Sequence, residues 1–479
     1  MPPITVLSAG ISFKNSNYYY NIETDVSLPS LSEVLADKPL AAILGGNESV
    51  DGWSIFAAEP VEVFEFSLHQ DHPFDKLQAF LSRYQMADDA RGPSGMFCGG
   101  WIGFFGYELG RFIESLPATA VDDVGFPVIR LAFYDKAILF DHKSSEFSLM
   151  ALEYKGQRQT VDQMHATLKS WIKQAQTIAA PASASVDMNS VSMDSLSSNM
   201  SRSQYTAALA KIKRYIYDGE TYQINFSQRF SADFKGRPVD LFHGQNRFNP
   251  SPYAAYLAWD DRAVVSASPE LFLKVENDAI VTKPIKGTRP RNPSLPDESP
   301  ENTNCFHDLV TSEKEQAELA MIVDLERNDL ARICFPGTRS VTCGRQIETF
   351  PTVYHAAATV QGQLTSPPQP PRMIEILKSS FPGGSITGAP KIRSMEIIDE
   401  LEPTTRGIYT GSIGWISLNF DLCWNIAIRT ILISGQKAYV QSGGGIVADS
   451  DPEAEWNETW TKARALLAGI DAVNGMQRH

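Results

Sequence analysis

Phe381-Pro382-Gly383-Gly384-Ser385-Ile386-Thr387-Gly388-Ala389-Pro390-Lys391 is the stretch on which the reading of this chain turns. It is glycine-rich and runs into a helical pattern, Ile392 to Leu401, so it superficially resembles a phosphate-cradling loop. Such a loop needs lysine directly after its last glycine, then Ser or Thr. Here Ala389 and Pro390 separate Gly388 from Lys391, and nucleoside triphosphate binding is unsupported. The glycines still permit close backbone approach, and the N–H groups opening the helical run suit an anion such as a carboxylate.

Outward from that loop, strands and helices mix without a regular strand–helix–strand rhythm, which points to an α+β fold. Helices are expected at Tyr205 to Asp218, 312–332, 372–379 and Glu453 to Leu467, with strands at Ala263 to Ser268 and Ala427 to Ser434. Before residue 175, alternation such as Val61-Glu62-Val63-Phe64-Glu65-Phe66 and glycine-rich turns suit strands more than long helices. A stretch rich in Ala and Ser, 176–203, is poor in large apolar residues and reads as a linker. The expected organisation is a β-rich region over 1–175 packing onto the core, the linker, and a catalytic domain over 204–475.

The 479 residues carry 42 Lys+Arg against 56 Asp+Glu, a net charge of −14. That balance argues against a nucleic-acid or anionic-membrane partner, whose binding draws on clustered basic residues. No run approaches the roughly 18 apolar residues of a membrane span. The N-terminus lacks a basic stretch followed by an apolar run, and the five cysteines are scattered without a C-x-x-C pair. Reduced thiols in a cytoplasmic protein are expected.

Two acidic pairs stand out. Glu315 and Glu318 lie three apart near one helix start, and Glu455 and Glu458 lie three apart on the last helix, which Asp451 would cap and Pro452 would start. Residues three apart share a helix face. Two such faces brought together would repel unless a cation lay between them, and oxygen-only ligation suits Mg²⁺. An equally simple reading is a pair of solvated helix faces. Lys286, in Lys283-Pro284-Ile285-Lys286-Gly287-Thr288, would be a nucleophile if burial stripped its proton, and an ordinary surface lysine otherwise. No G-x-S-x-G elbow and no H-E-x-x-H occurs, and Cys98 lies in an apolar stretch as a core thiol, so the chain is not expected to make its own ammonia.

Phe381 to Lys391, Gly443-Gly444-Gly445-Ile446-Val447-Ala448-Asp449-Ser450, Asp324-Leu325-Glu326-Arg327-Asn328-Asp329 and Pro284 to Thr288 together resemble the chorismate-utilising enzymes. These motifs span about 204–468. Gly106-Tyr107-Glu108-Leu109-Gly110-Arg111 and Glu114-Ser115-Leu116-Pro117 also resemble the members that form aminodeoxychorismate. The resemblance implies a two-lobed α+β fold of large antiparallel sheets packed face to face with helices outside. It implies Mg²⁺ bridging substrate to Glu318 and Glu458, with Glu315 and Glu455 as the supporting acidic shell.

The family's water-adding members use a lysine base where this chain has Gln223, which cannot act as one. Its anthranilate-forming members carry Ala where this chain has Lys286. By resemblance, Lys286 is then the covalent nucleophile, Glu270 in Ser268-Pro269-Glu270 the general acid, and ammonia the final attacker at C4 of chorismate. Tyr409 and Arg429 would hold the enolpyruvyl carboxylate, and Gly287, Thr288 and Gly445 would offer backbone or hydroxyl donors. His355 would face the ring or serve structure, and Asp324 to Asp329 would form a structural helix end. A separate glutaminase subunit would supply the ammonia. An anthranilate-forming enzyme and a non-catalytic regulator are the alternatives, and Lys286, Glu270 and the intact acidic pairs weigh against them. Whether Asn47 to Trp53 bind tryptophan is left open.

Overall fold

Runs of β-branched and aromatic residues form the strands, and their pairing builds two large sheets. The computed structural model describes residues 4–11, 19–20, 26–50, 52–86, 94–179 and 196–476. Among these, the larger sheet has fourteen strands and the smaller ten. The strand pairs are antiparallel except for Ile4–Ile11 against Tyr84–Met86. The larger sheet runs from Leu196–Ser198 through Gln223–Asp233, Lys437–Ile446, Thr430–Ser434, Arg262–Ser268 and Tyr253–Trp259 into strands from before residue 175, beginning with Ala42–Leu44. The smaller runs from Ile285–Pro290 through Val353–Gln363, Ala279–Lys283, Leu271–Glu276, Leu422–Asn425 and Ser412–Ser417 to Gly100–Phe105, Ile129–Tyr134 and Glu62–Phe66.

Strands from before residue 175 and after 204 therefore share both sheets. Ala42 pairs with Leu257, and Gly100–Phe105 pairs along Ser412–Ser417. Most of the stretch read as a linker, 180–195, lies outside the described residues. One apolar cluster takes residues from both sheets, including Ile55 and Leu257 from the larger and Trp101, Phe133 and Trp424 from the smaller. Phe105 and Trp424 meet across the intervening strand Ser412–Ser417 of the smaller sheet, with ring centroids 4.5 Å apart. A second cluster covers the other face of the larger sheet with Trp171, Phe242 and Leu466 from the helices Val161–Thr177, Pro238–Phe248 and Pro452–Met476.

The expected α+β class holds, and three local differences have physical causes. The last helix continues to Met476 because Leu466, Leu467, Ile470 and Val473 extend its buried stripe past the expected end. The region before residue 175 carries a 17-residue helix, Val161–Thr177, started by a reciprocal Thr160–Gln163 capping box. The strand expected from Ala427 begins only at Thr430, because Arg429 adopts a left-handed backbone with φ of 50°.

Beneath the site described below lies a buried ion pair between Arg406 and Glu402, in which Nε and Nη2 of the guanidinium donate to the two carboxylate oxygens at 2.7–2.8 Å. The same guanidinium donates to the carbonyls of Asn225 and Ile386, and the Arg406 backbone N–H donates to Glu108. Arg406→Met would leave Glu402 charged, buried and unpaired, so unfolding free energy is expected to fall by about 3–5 kcal/mol. A lower denaturant midpoint at unchanged slope is the expected measurement. Arg406→Lys, which keeps the charge without the fork, should lose less.

Candidate active site

Glu270 stands where the chain leaves one sheet for the other. Arg262–Ser268 belongs to the larger sheet and Leu271–Glu276 to the smaller, and Pro269 between them has no N–H to continue either ladder. The returning crossing, from Leu422–Asn425 to Thr430–Ser434, lies alongside: Ile426 N–H donates to the Glu270 carbonyl at 3.0 Å. Ser268 Oγ donates to the Ile426 carbonyl at 2.6 Å, locking the two crossings together. Arg429 on the second crossing faces Glu270 and His355 electrostatically.

Lys286 reaches this point from the edge strand Ile285–Pro290, and its Nζ donates to the Ser385 carbonyl at 3.0 Å. Ser385 Oγ donates to Glu270 Oε1 at 2.6 Å. Burial holds the Lys286 pKa below that of an ordinary lysine, against the opposing pull of the Glu270 and Glu318 carboxylates. Burial raises Glu270, partly offset by the Ser385 hydroxyl and by Lys286. An amine pushed towards neutrality therefore sits beside a carboxyl pushed towards protonation, the arrangement a nucleophile and a proton donor need. Burial also brings Arg429 down to about 10, so it stays cationic at neutral pH.

The two acidic pairs come close enough for Glu318 and Glu458 to interact electrostatically, beside Lys286. Repulsion between Glu318 and Glu458 adds to the burial that raises Glu318. Burial raises Glu455, whereas at Glu458 burial is outweighed by the lysines around it, above all Lys462 at 2.6 Å. Glycine makes room at both pairs. A Cβ on Gly287 would come within 2.7 Å of Glu315 Oε2, and one on Gly444 within 3.0 Å of Glu455 Oε2. Glu315 Oε1 accepts from Arg289 at 2.8 Å, while its Oε2 is buried without a hydrogen-bond partner.

Among the described residues no three His, Cys, Asp or Glu side chains converge closely enough to hold a metal. Lys286, Lys314 and Lys462 stand among the carboxylates instead. The oxygen-only donors and the orphaned Glu315 Oε2 nevertheless match the chemistry of a hard cation such as Mg²⁺.

The remaining candidates are spread around this centre. Tyr409 is buried and lines a small cavity with Thr430, the neighbour of Arg429, and with Arg229 and Gln441. Gly445 lets Gln223 lie across its strand, since a Cβ there would meet Gln223 Nε2 at 2.3 Å. Thr288 is exposed, and its hydroxyl lies 2.8 Å from Nδ1 of His355. His355 itself is buried and held neutral: burial, then Arg429, lowers its pKa to about 3. Asp324 to Asp329 occupy the last turns of the helix Glu313–Ala331, where Asp329 pairs with Lys391 and Glu326 accepts from Thr282 at 2.9 Å. Cys98 is fully buried with its pKa raised to about 12 by burial, which leaves it a thiol.

Ser385, Arg289 and the Arg406–Glu402 pair were not singled out from the sequence. Ser385 lay in the quoted loop, but nothing in its neighbours along the chain shows that it meets residues 99 and 115 positions away.

The sequence model of chorismate binding enzymes matches residues 46–468, and the chain belongs to that family. It is similar to aminodeoxychorismate synthase component 1 of Bacillus subtilis, 37% identical over 83% of this chain and 82% of that one. The corresponding Escherichia coli protein is 37% identical over 84% and 83%. Anthranilate synthase component 1 of Acetivibrio thermocellus is 33% identical over 95% and 94%. Among solved structures, anthranilate synthase component I of Streptococcus pneumoniae superposes with a TM-score of 0.74 at 29% identity, covering 87% of this chain and 92% of that one. The family and the fold expected from the motifs hold, and the chain is a chorismate-utilising enzyme. Among the described residues no helix is long and apolar enough to cross a membrane.

Because burial lowers the pKa of Lys286, an amine-acylating reagent should modify it with a pH midpoint below the value near 10.4 of a surface lysine. Glu270→Gln removes an anion that favours the ammonium form, so the midpoint should move lower still. Peptide mapping of the labelled chain across pH checks both.

Proposed function

We propose that this enzyme aminates chorismate at C4 with ammonia, giving 4-amino-4-deoxychorismate, the precursor of para-aminobenzoate and folate. The contact that carries the proposal is the partly buried Lys286 amine beside Glu270, bridged by Ser385. The relatives named aminodeoxychorismate synthase component 1 support the same product.

Neutral Lys286 would attack C2 of the ring. The C2–N bond forms, the two ring double bonds shift one position towards C4, and the C4–O bond breaks. Glu270 would deliver its proton to the departing oxygen, which leaves as water. Ammonia then attacks C4, the double bonds shift back, and the electrons of the C2–N bond return to Lys286. The Glu270 carboxylate takes the surplus proton from the new C4 amine, so both groups finish as they began. Arg429 would pair with a substrate carboxylate, its fork matched to the two oxygens, with Tyr409 beside it.

Glu318 and Glu458, supported by Glu315 and Glu455, would hold Mg²⁺, which when bound supplies positive charge for the substrate's ring carboxylate. Ammonia would come from a separate glutaminase subunit. The component 1 names of the relatives and the buried, protonated Cys98 both support that division of labour. Anthranilate synthase component 1 relatives at similar identity make anthranilate the competing product.

Purified protein with chorismate, Mg²⁺ and ammonium, without a glutaminase, should form a product that a lyase converts to para-aminobenzoate. Fluorescent anthranilate or isochorismate in its place would overturn the proposal. Glu270→Gln is expected to slow amination by about 10²–10⁴-fold, and Lys286→Ala to reduce it at least as severely. Turnover should also stop on chelation of divalent cations and return with added Mg²⁺.

A further inference from the structure

The loop that contains Ser385 is held on every side of that residue. Gly384 packs against Leu325 so tightly that a Cβ would lie 2.7 Å from Cδ2, and Gly383 stands in the same relation to Ile426 Cδ1. One residue further on, the Ile386 carbonyl accepts from Arg406 Nη1 and from Asn225 Nδ2, both at 3.0 Å. Thr387 Oγ1 closes the turn on the Gly383 carbonyl at 3.0 Å. Ser385 is itself buried. Its side chain and its backbone thus have little freedom, and each makes one directed contact to a different reacting group.

We propose that Ser385 is a positioning residue for the amination chemistry: its hydroxyl fixes the Glu270 carboxyl and its carbonyl oxygen fixes the Lys286 amine, so one residue sets the geometry of proton donor and nucleophile together. The proposal rests on the roles given to Lys286 and Glu270 above. The hydroxyl donates to Oε1, which leaves Oε2 to carry the transferable proton. The carbonyl accepts an N–H of the neutral amine, which directs the lone pair away from Ser385. Because the two contacts use different atoms, they can be separated. Removing the hydroxyl takes this contact from Glu270, which keeps a backbone contact at Ile285, and leaves the carbonyl contact to Lys286 in place.

The charged groups facing Glu270 are Lys286 from the edge strand, Arg429 from the second crossing and Glu326 from the helix Glu313–Ala331. None of them changes when Ser385 does. A hydroxyl that donates to a carboxylate stabilises its ionised form. Its loss therefore raises the pH at which Glu270 gives up its proton, and activity that needs protonated Glu270 persists to higher pH.

The test compares wild type, Ser385→Ala and Ser385→Thr in the ammonium-dependent assay across pH. Ser385→Ala should lower kcat by about 10- to 100-fold, with KM for chorismate within about twofold of wild type. It should move the alkaline limb of the profile up by roughly one unit. Ser385→Thr, which keeps a hydroxyl on the same carbon, should return kcat and the limb towards wild type. A Ser385→Ala profile with an unmoved alkaline limb overturns the proposal, as does a Ser385→Thr enzyme as impaired as Ser385→Ala. If wild type does not turn over with ammonium, the functional reading fails separately. The Ser385 contact is then read by ¹³C NMR titration of the Glu270 carboxyl, assigned with Glu270→Gln. An upward shift in Ser385→Ala supports the contact, and no shift overturns it.

Discussion

The buried pair of Arg406 and Glu402 is the interaction on which the site depends. Glu402 accepts from Nε and Nη2 of the guanidinium and also from the backbone N–H and hydroxyl of Ser227. Arg406 spends its remaining donors on the carbonyls of Asn225 and Ile386 and on the Thr410 hydroxyl. A charge pair excluded from water survives only when its other donors and acceptors are met, and here the partners that meet them belong to the site's own walls. One strand of the larger sheet, the glycine loop and the turn carrying Tyr409 are thereby held at fixed separations. Glu108, from the region before residue 175, ties in through the backbone N–H groups of residues 406 and 407.

The centre itself exploits a topological necessity. Two sheets that share a chain need places where a strand leaves one for the other, and at such places backbone groups lose their ladder partners. Pro269 removes one such group outright, and Ser268 Oγ meets another at the Ile426 carbonyl. Two crossings side by side give an enclosed position for Glu270 with Arg429 close by. Enclosure raises the carboxyl and lowers the amine of Lys286 through the same desolvation, which is why one geometric feature prepares both groups.

Electrostatics at the acidic pairs work differently. The chain carries a net charge of −14, which would repel a dianionic substrate, yet Lys286, Lys314 and Lys462 cluster around the acidic pairs, and Arg429 stands by Glu270. Local charge, not the total, governs what is attracted at contact distance, because salt screens charges beyond about 8–10 Å. Lys462 on Glu458 and Arg289 on Glu315 hold the carboxylates in place.

Much of this protein was legible along the chain. Helices announced themselves through caps and apolar periodicity, as at Asp451–Pro452, because those signals are local. The glycine motifs pointed to the family because close approach of backbone to side-chain carboxylates tolerates no Cβ at Gly287 or Gly444. The α+β class followed from the mixture of periods. Tertiary structure alone decided the rest: that Lys286 is desolvated, that Ser385 meets both Glu270 and Lys286, and that Arg429 turns out of its expected strand. Such facts depend on residues about a hundred positions apart arriving at one point, and burial, hydrogen-bond geometry and pKa arise only from that arrival.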